Sequence, residues 1–237
     1  MEIKNVRVYG LEESIIASGY PMMIDTPNEK EFNNAINRLS YALDIGVEDL
    51  TDEEKIEIQR HKKRIISLAN APLGSGHDCA LKGIVVQYDL TAPEYFWRQF
   101  DRYHFHDYIS SQSKMHRILR FDIDKICNKY VSRNTINELN YWIDMYNNYE
   151  EDKLPYIVLR DGRKISYTRK NIFQIVLSNC PMGLQLTARI KDNYLQLKSK
   201  YYQRINHPLE EWKIYCKWIE TLPMAKSLIV GRGNYGN

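Results

Sequence analysis

The 237-residue chain has few cysteines, and they lie far apart. None of the four belongs to a CxxC pair, so a structural zinc site of the usual kind is not expected; they are Cys79, Cys127, Cys180 and Cys216. Their spacing also favours a reducing compartment over a disulfide framework. No apolar run is long enough to span a bilayer, and the first ten residues contain no apolar signal segment. We therefore expect a cytoplasmic protein with no membrane partner.

The chain also lacks a strong excess of either charge. With 33 basic and 30 acidic residues the net charge is only +3, which is too small to predict a nucleic-acid partner. The hydrophobic content of 43% is typical of a soluble globular protein. The 18 tyrosines are numerous, and a tyrosine can pack its ring while it offers a hydroxyl to a polar ligand.

Periodicity and turn residues predict a mixture of helices and strands. Strands are expected at residues 6–9 and within 81–90, and the pair Asp161-Gly162 predicts a hairpin within 156–167. Helices are expected to begin at the capping boxes Thr26–Glu29 and Thr51–Glu54, and further helices to span 134–146, 184–204 and a stretch from Pro208. We see no internal repeat. The predicted fold is α+β: a single domain over 1–230, with a mixed or antiparallel sheet flanked by long helices, and a flexible tail at 231–237.

The segment 91–117, TAPEYFWRQFDRYHFHDYISSQSKMHR, concentrates polar and basic residues beside an apolar helix face. Thr91 and Glu94 form a capping box that predicts the start of a helix. Its buried stripe is expected to be Phe96, Phe100 and Tyr103, after which a polar loop is predicted. A basic helix end that leads into such a loop is suited to holding phosphate groups.

Two other interpretations of this segment concern metal binding and surface ion pairs. Two histidines two residues apart, with nearby acidic and histidine side chains, could ligate a metal; they are His104, His106, Asp107 and His116. On a helix the first two diverge, so no metal site is predicted. Glu94, Arg98 and Arg102 could form only an ion-pair ladder, worth a few tenths of a kcal/mol per pair.

The combined spacing of several motifs resembles the flavin-dependent thymidylate synthase family. That family has a histidine before a strand, then Q-x-x-RHR-x-x-S-x-N-E-x-S-x-R-Y, and later L-P, Thr and N-x(10)-R. The matching residues here are His77, Gln99, Arg102-Tyr103-His104, Ser111-Gln112-Ser113, Pro181, Thr187, Asn193, Arg204 and His207. The similarity spans roughly residues 6–222.

The resemblance implies a flavoenzyme with two groups of binding residues. The group implied to contact FAD is His77, Arg102, Tyr103, His104 and Asn193. The group implied to contact the nucleotide is Gln99, Ser111, Ser113, Arg117 and Arg204, with Ser113 and Arg204 as the catalytic candidates. The family is a homotetramer with shared active sites, in which NADPH reduces FAD and methylenetetrahydrofolate supplies a one-carbon unit to C5 of dUMP.

This sequence departs from the family at several positions, which leaves three functions open. The triplet RHR is Arg102-Tyr103-His104, the Asn-Glu pair is Ser110-Ser111, and the expected arginine is replaced by Lys114-Met115, with Arg117 two residues later. The first function is thymidylate synthase-like methylation. The second is modification of another pyrimidine nucleotide, such as dCMP, or hydroxymethylation. The third is a non-catalytic relative that binds a nucleotide or a protein.

Overall fold

The computed structural model describes residues 1–72, 75–151 and 153–231. Its strands are β1 (Glu2–Tyr9), β2 (Val85–Pro93), β3 (Asp107–Ser111), β4 (Tyr156–Val158), β5 (Lys164–Ser166) and β6 (Gln185–Asn193). Its α-helices are α1 (Leu11–Ala17), α2 (Glu29–Asp44), α3 (Asp52–Ala69), α4 (Glu94–Phe100), α5 (Lys114–Arg117), α6 (Ile123–Ile126), α7 (Arg133–Asn147), α8 (Arg169–Ser178), α9 (Tyr194–Arg204) and α10 (Glu210–Ile219). Short 3-10 helices lie at Tyr20–Met22, His77–Gly83 and Ile118–Arg120, and a π-helix lies at Lys226–Val230.

The strands form a four-stranded sheet and a separate hairpin. The sheet has the order β1-β2-β6-β3, and β4 pairs with β5 in antiparallel register, with Ile157 opposite Ile165. Gly162 has a φ of 81°, so the tight turn predicted at Asp161-Gly162 is confirmed. The predicted α+β class with an antiparallel sheet is also confirmed. No helix in the described ranges is both long and apolar enough to cross a membrane.

The described residues divide into two compact units. Unit 1 comprises Met1–Glu2, Asp89–His104 and Tyr108–Arg189. Unit 2 comprises Ile3–Tyr88, Phe105–Asp107 and the described chain from Ile190 onward. The boundaries of the single domain expected over 1–230 stay a prediction. The expected tail, apart from Gly231, lies outside the described residues.

The capping box predicted for α3 is confirmed, whereas the one predicted for α2 is displaced. The Thr51 side chain accepts from the Glu54 N–H, and the Glu54 carboxylate accepts from the Thr51 N–H. In α2 the cap is Asn28, because its side chain and Glu31 form the same reciprocal pair at 3.0 and 2.9 Å. The prediction that placed Thr26 at this cap was wrong by two residues.

The helix predicted from Thr91 also begins later. Thr91 is still in β2, where its hydroxyl lies 2.7 Å from the hydroxyl of Thr187 and so caps no helix. The first helical N–H, that of Glu94, donates to the Leu184 carbonyl at 3.2 Å. Phe96 and Phe100 are fully buried as predicted, but α4 ends before Tyr103.

The helix predicted over 184–204 was half wrong, because its first part is strand β6. Burial in the second half of this strand alternates, with Ala188, Ile190 and Asp192 inside, which is the two-residue period of a strand. Helix α9 begins only at Tyr194, whose N–H donates to the Ile84 carbonyl at 3.0 Å within unit 2. The apolar spacing continues across both elements, so periodicity alone does not mark the boundary.

The loop predicted after Tyr103 is also wrong in part, because residues 107–111 form β3. All five of its residues are exposed, so no alternation of apolar and polar residues announces a strand. Its position at the end of the strand order makes β3 an edge strand.

Unit 1 is organised around an aliphatic core that includes Ile118, Leu139, Val176 and Leu184, all fully buried. The predicted inward residues of α7, Ile136 and Leu139, belong to this core. Its helices therefore pack through one apolar stripe each, which is the arrangement that their periodicity predicts.

Unit 2 buries an aromatic cluster together with an ion pair. The Tyr88 ring lies 4.5 Å from that of Trp218, and the Tyr88 hydroxyl lies 2.6 Å from the Tyr215 hydroxyl. Tyr88 also donates to Asp192 at 3.3 Å, and the ammonium of Lys200 donates to the same carboxylate. Asp192 is 2% exposed and Lys200 is 0% exposed, so two opposite charges share one dry site.

Candidate functional site

A cavity of about 400 Å³ in unit 1 is the candidate functional site. It is lined by residues of α4, β3, β6 and their flanking turns: Glu94, Trp97, Asp101, Tyr108, Ser111, Gln112, Leu186, Thr187 and Ala188. The volume is within the range of about 300–1,000 Å³ that is typical of small-molecule sites. The lining combines two aromatic rings, two carboxylates and several neutral polar groups, so it suits a planar polar ligand.

Helix α4 presents one polar and aromatic side to this cavity. Glu94, Trp97 and Asp101 are three and seven residues apart, and at 3.6 residues per turn they share one side of the helix. The Trp97 indole N–H donates to the Ala92 carbonyl at 2.9 Å, which fixes the ring. Phe100 is fully buried next to Trp97 and anchors α4 in the core.

The two carboxylates in the cavity have different partners. Asp101 accepts a hydrogen bond from the Tyr108 hydroxyl, and Glu94 forms an ion pair of 2.9 Å with Lys114. Burial, followed by the hydrogen bond to Asp101, raises the pKa of Tyr108 well above its ordinary value. Tyr108 therefore stays protonated at neutral pH and acts as a donor.

Gln112 pairs with Thr187 at the polar side of the cavity as a residue of a neighbouring strand would, through its backbone N–H and its side-chain oxygen. The Gln112 N–H donates to the Thr187 carbonyl at 2.9 Å, and the Thr187 N–H donates to Gln112 Oε1, also at 2.9 Å. This pair extends the backbone pairing of β6 one step beyond Ser111. The carboxamide nitrogen at the other end of the Gln112 side chain carries two more hydrogens for a ligand.

Of the predicted site residues, Ser111 is the one that lines the cavity. Gln99 is half-buried, and at about 100° per residue it lies on the side of α4 away from the cavity. Ser113 precedes α5, where its carbonyl accepts from the Arg117 N–H at 3.1 Å. The structure therefore separates Gln99 from Ser111, although the resemblance groups both around one nucleotide.

The triplet Arg102-Tyr103-His104, which was predicted to contact the flavin cofactor, lies just after α4. Arg102 and His104 are exposed, and Tyr103 between them is half-buried. The Tyr103 N–H donates to the Phe100 carbonyl at 3.0 Å, so the end of the helix fixes the start of this segment. Arg117, at the end of α5, is exposed as well.

Three predicted residues belong to unit 2. His77 is exposed at the start of its 3-10 helix. The side chain of Asn193 caps α9 by accepting from the Gln196 N–H at 3.0 Å. Arg204 ends the same helix, with its guanidinium 4.7 Å from the centre of the Trp212 ring. A helical rise of about 1.5 Å per residue places Asn193 and Arg204 about 16 Å apart, too far for both to reach one small group of a ligand.

Sequence reasoning missed several of the residues that build the cavity, namely Trp97, Asp101 and Tyr108. The helical spacing of Glu94, Trp97 and Asp101 was an available signal, but Tyr108 had none because β3 was not recognised. Glu94, which the alternative interpretation placed in an ion-pair ladder with Arg98, pairs with Lys114. Across the described residues, no three His, Cys, Asp or Glu side chains are grouped so as to hold a metal ion.

The fold is shared with solved structures of known enzymes. A flavin-dependent thymidylate synthase from Helicobacter pylori, complexed with FAD and dUMP, matches 97% of this chain and 98% of its own, with a TM-score of 0.57 and 11% sequence identity. A second structure of thymidylate synthase X from that organism, also with FAD and dUMP, matches 72% of this chain and 81% of its own, with a TM-score of 0.50 and 12% identity. No protein-family model matches the chain, and no curated protein matches it either. At this identity the likeness establishes the fold alone.

Proposed function

We propose that this chain is a flavin-dependent enzyme that transfers a one-carbon unit from methylenetetrahydrofolate to C5 of a pyrimidine deoxynucleotide monophosphate. One observation carries the proposal: nearly the whole chain shares its fold with an enzyme whose structure contains FAD and dUMP. The motif spacing of His77, Arg102 and Asn193 supports it independently, because it was read from the sequence. Reduction by NADPH and a cytoplasmic homotetramer with shared active sites belong to the same proposal.

The donor groups at the proposed cofactor positions fit FAD. Arg102 and His104 present a guanidinium and an imidazole at the exposed end of α4, and His77 presents a second exposed imidazole. The amide oxygen of Asn193 caps α9, which leaves its amide hydrogens as donors. Cationic and neutral donors of this kind match the pyrophosphate and ring edges of a dinucleotide. When bound, the flavin supplies the redox chemistry of the reaction.

The nucleotide is assigned to Gln99, Ser111, Ser113, Arg117 and Arg204. In this proposal the guanidinium of Arg117 holds the phosphate, because a planar cation can form two parallel hydrogen bonds to it. The contact of Arg204 with the Trp212 ring restricts its side chain before the ligand arrives. Ser113 and Arg204 are the residues proposed to orient the pyrimidine for reaction.

A flavin titration with two matched arginine variants tests the first step of the proposal. We expect the purified full chain to quench FAD fluorescence on binding, and Arg102→Gln to weaken binding about ten- to a hundred-fold, because a charged hydrogen-bond donor is lost. Arg98→Gln removes the same charge from an exposed position of α4 and is expected to leave the affinity unchanged. A protein that does not bind FAD, or equal effects of the two variants, contradicts the proposal.

Product analysis then separates the three functions. The full chain is incubated with methylenetetrahydrofolate, NADPH and either dUMP or dCMP, and the products are identified by mass spectrometry. A methylated uracil nucleotide supports the proposed reaction, whereas a modified cytosine or a hydroxymethyl product selects the second function. FAD binding without any product from either nucleotide points to the non-catalytic relative.

A further inference from the structure

The cavity in unit 1 carries chemistry that a uracil ring does not satisfy. Asp101 places an exposed carboxylate in the lining, and the rings of Trp97 and Tyr108 lie 5.7 Å apart, inclined by 50°. Tyr108 donates to one oxygen of Asp101, and since each carboxylate oxygen has two lone pairs, both oxygens can still accept from a ligand. A bound ring in this cavity therefore meets an anionic acceptor at its edge and aromatic surface beside it.

A carboxylate selects among heterocycles by the donors on their edges. Two adjacent N–H groups match the two oxygens of a carboxylate, as the two arms of a guanidinium do. The 2-amino-4-oxopyrimidine edge, in which an amino group lies next to a ring N–H, has this arrangement. Uracil has one N–H between two carbonyl oxygens, so pairing it with Asp101 places acceptors near an anion.

We propose that this cavity binds a 2-amino-4-oxopyrimidine edge, and that Asp101 is the residue that selects it. A pterin ring and a guanine ring both carry this edge and are the two possible sources. The assignment to the pterin of a folate co-substrate rests on the proposed function, whereas recognition of the edge does not. The cavity lies on the side of α4 away from Gln99, whereas Ser111, another of the proposed nucleotide contacts, lines it.

The fixed groups around Asp101 explain how the selection is maintained. Tyr108 stays protonated, so it holds the carboxylate in place without adding negative charge. The second carboxylate in the lining, Glu94, is neutralised by Lys114 at 2.9 Å. Asp101 is held by the neutral Tyr108 hydroxyl, whereas Glu94 is held by the Lys114 ammonium, so Asp101 should dominate the preference for a donor-rich edge.

The test compares pterin with lumazine, which has the same ring system with an oxo group in place of the 2-amino group. Binding of each to the full chain is measured by calorimetry at pH 7. We expect pterin to bind about ten- to a hundred-fold more tightly, because lumazine loses one donor to the carboxylate. Equal affinities, or tighter binding of lumazine, overturn the proposal without any substitution that could affect folding.

Three variants assign the preference to a residue. Asp101→Asn should abolish the difference between pterin and lumazine, since an amide presents only one acceptor. Tyr108→Phe keeps the Asp101 carboxylate, and Glu94→Gln changes only the second carboxylate of the cavity. Both variants should therefore still prefer pterin to lumazine. A preference that survives in Asp101→Asn, or that disappears in Glu94→Gln, assigns the selection elsewhere and refutes the role of Asp101.

Guanosine and FAD complete the experiment. Guanosine binding that depends on Asp101 and exceeds that of pterin assigns the cavity to a purine, and the reverse order assigns it to a pterin. The FAD titration is run in parallel on the same preparation. Selective pterin binding without FAD binding supports this inference and refutes the proposed function. FAD binding with equal pterin and lumazine affinities refutes this inference and leaves the proposed function standing.

Discussion

The buried ion pair of Asp192 and Lys200 makes a quantitative prediction about stability. Burial lowers the pKa of Lys200, and the Asp192 carboxylate opposes that shift. In Asp192→Asn the ammonium loses this carboxylate while it remains at 0% exposure. The folded variant must then either bury a cation that has lost this carboxylate or release the proton from Lys200.

Release of the proton from Lys200 sets an upper limit on the stability that the variant loses. The ordinary lysine pKa is 10.5. Each pH unit corresponds to about 1.4 kcal/mol, so releasing the proton at pH 7 costs about 5 kcal/mol. We therefore expect Asp192→Asn to lose about 3–5 kcal/mol in the free energy of unfolding at pH 7. This is a large part of the about 5–15 kcal/mol that stabilises a typical domain.

The pH dependence separates this cause from a simple packing defect. The folded variant binds fewer protons than the unfolded chain, because its Lys200 pKa is depressed further. Its stability should therefore rise with pH toward 10.5, by up to about 1.4 kcal/mol per pH unit. Urea unfolding of wild type and variant at pH 6, 7, 8 and 9 measures this. A loss that is below about 1 kcal/mol, or that is the same at every pH, refutes the reasoning.

A double variant provides the matched control. Asp192→Asn combined with Lys200→Met removes both charges, and neutral groups of similar size are often tolerated in place of a buried pair. We expect the double variant to recover most of the stability lost by Asp192→Asn and to lose its pH dependence. A double variant as unstable as the single one would place the cost in packing around Tyr88 instead.

Two further predictions concern a helix cap and a buried thiol. Thr51→Ala should cost about 1 kcal/mol in urea unfolding because the Glu54 N–H at the start of α3 loses its side-chain acceptor, and Thr51→Ser should cost much less. Burial raises the pKa of the Cys216 thiol to about 12 from 9.0, so the unfolded chain ionises first and stability should fall as pH rises above 9. Urea unfolding under reducing conditions should show a smaller fall for Cys216→Ala between pH 8 and 10; an unchanged slope would contradict the burial of this thiol.

Local signals predicted those elements whose ends are fixed by nearby residues. Thr51 and Glu54 cap α3 within one turn, and Gly162 sets the hairpin through its own φ. At the positions where the prediction was wrong, contacts between residues far apart in the sequence determine the secondary structure. Thr91 belongs to a strand because its partner Thr187 is almost a hundred residues away, and no local pattern shows that contact.

The exposed basic end of α4 was predictable from the sequence, whereas the cavity was not. Arg102 and His104 lie at the exposed end of α4, as a basic helix end would suggest. The cavity, in contrast, combines α4 with β3 and β6, one of which was expected to be a loop and the other a helix. Asp101 and Tyr108 meet through an edge strand whose five exposed residues follow no periodic pattern.

The cap of α9 has a consequence for how this protein can diverge. Asn193 uses its amide oxygen to hold the first turn of the helix. Aspartate caps a helix equally well through a carboxylate oxygen, but it has no amide hydrogens to offer. Since a single base change in the codon converts one residue into the other, a descendant could lose both side-chain hydrogen-bond donors at this position while keeping its fold. Selection for folding alone cannot maintain the asparagine here.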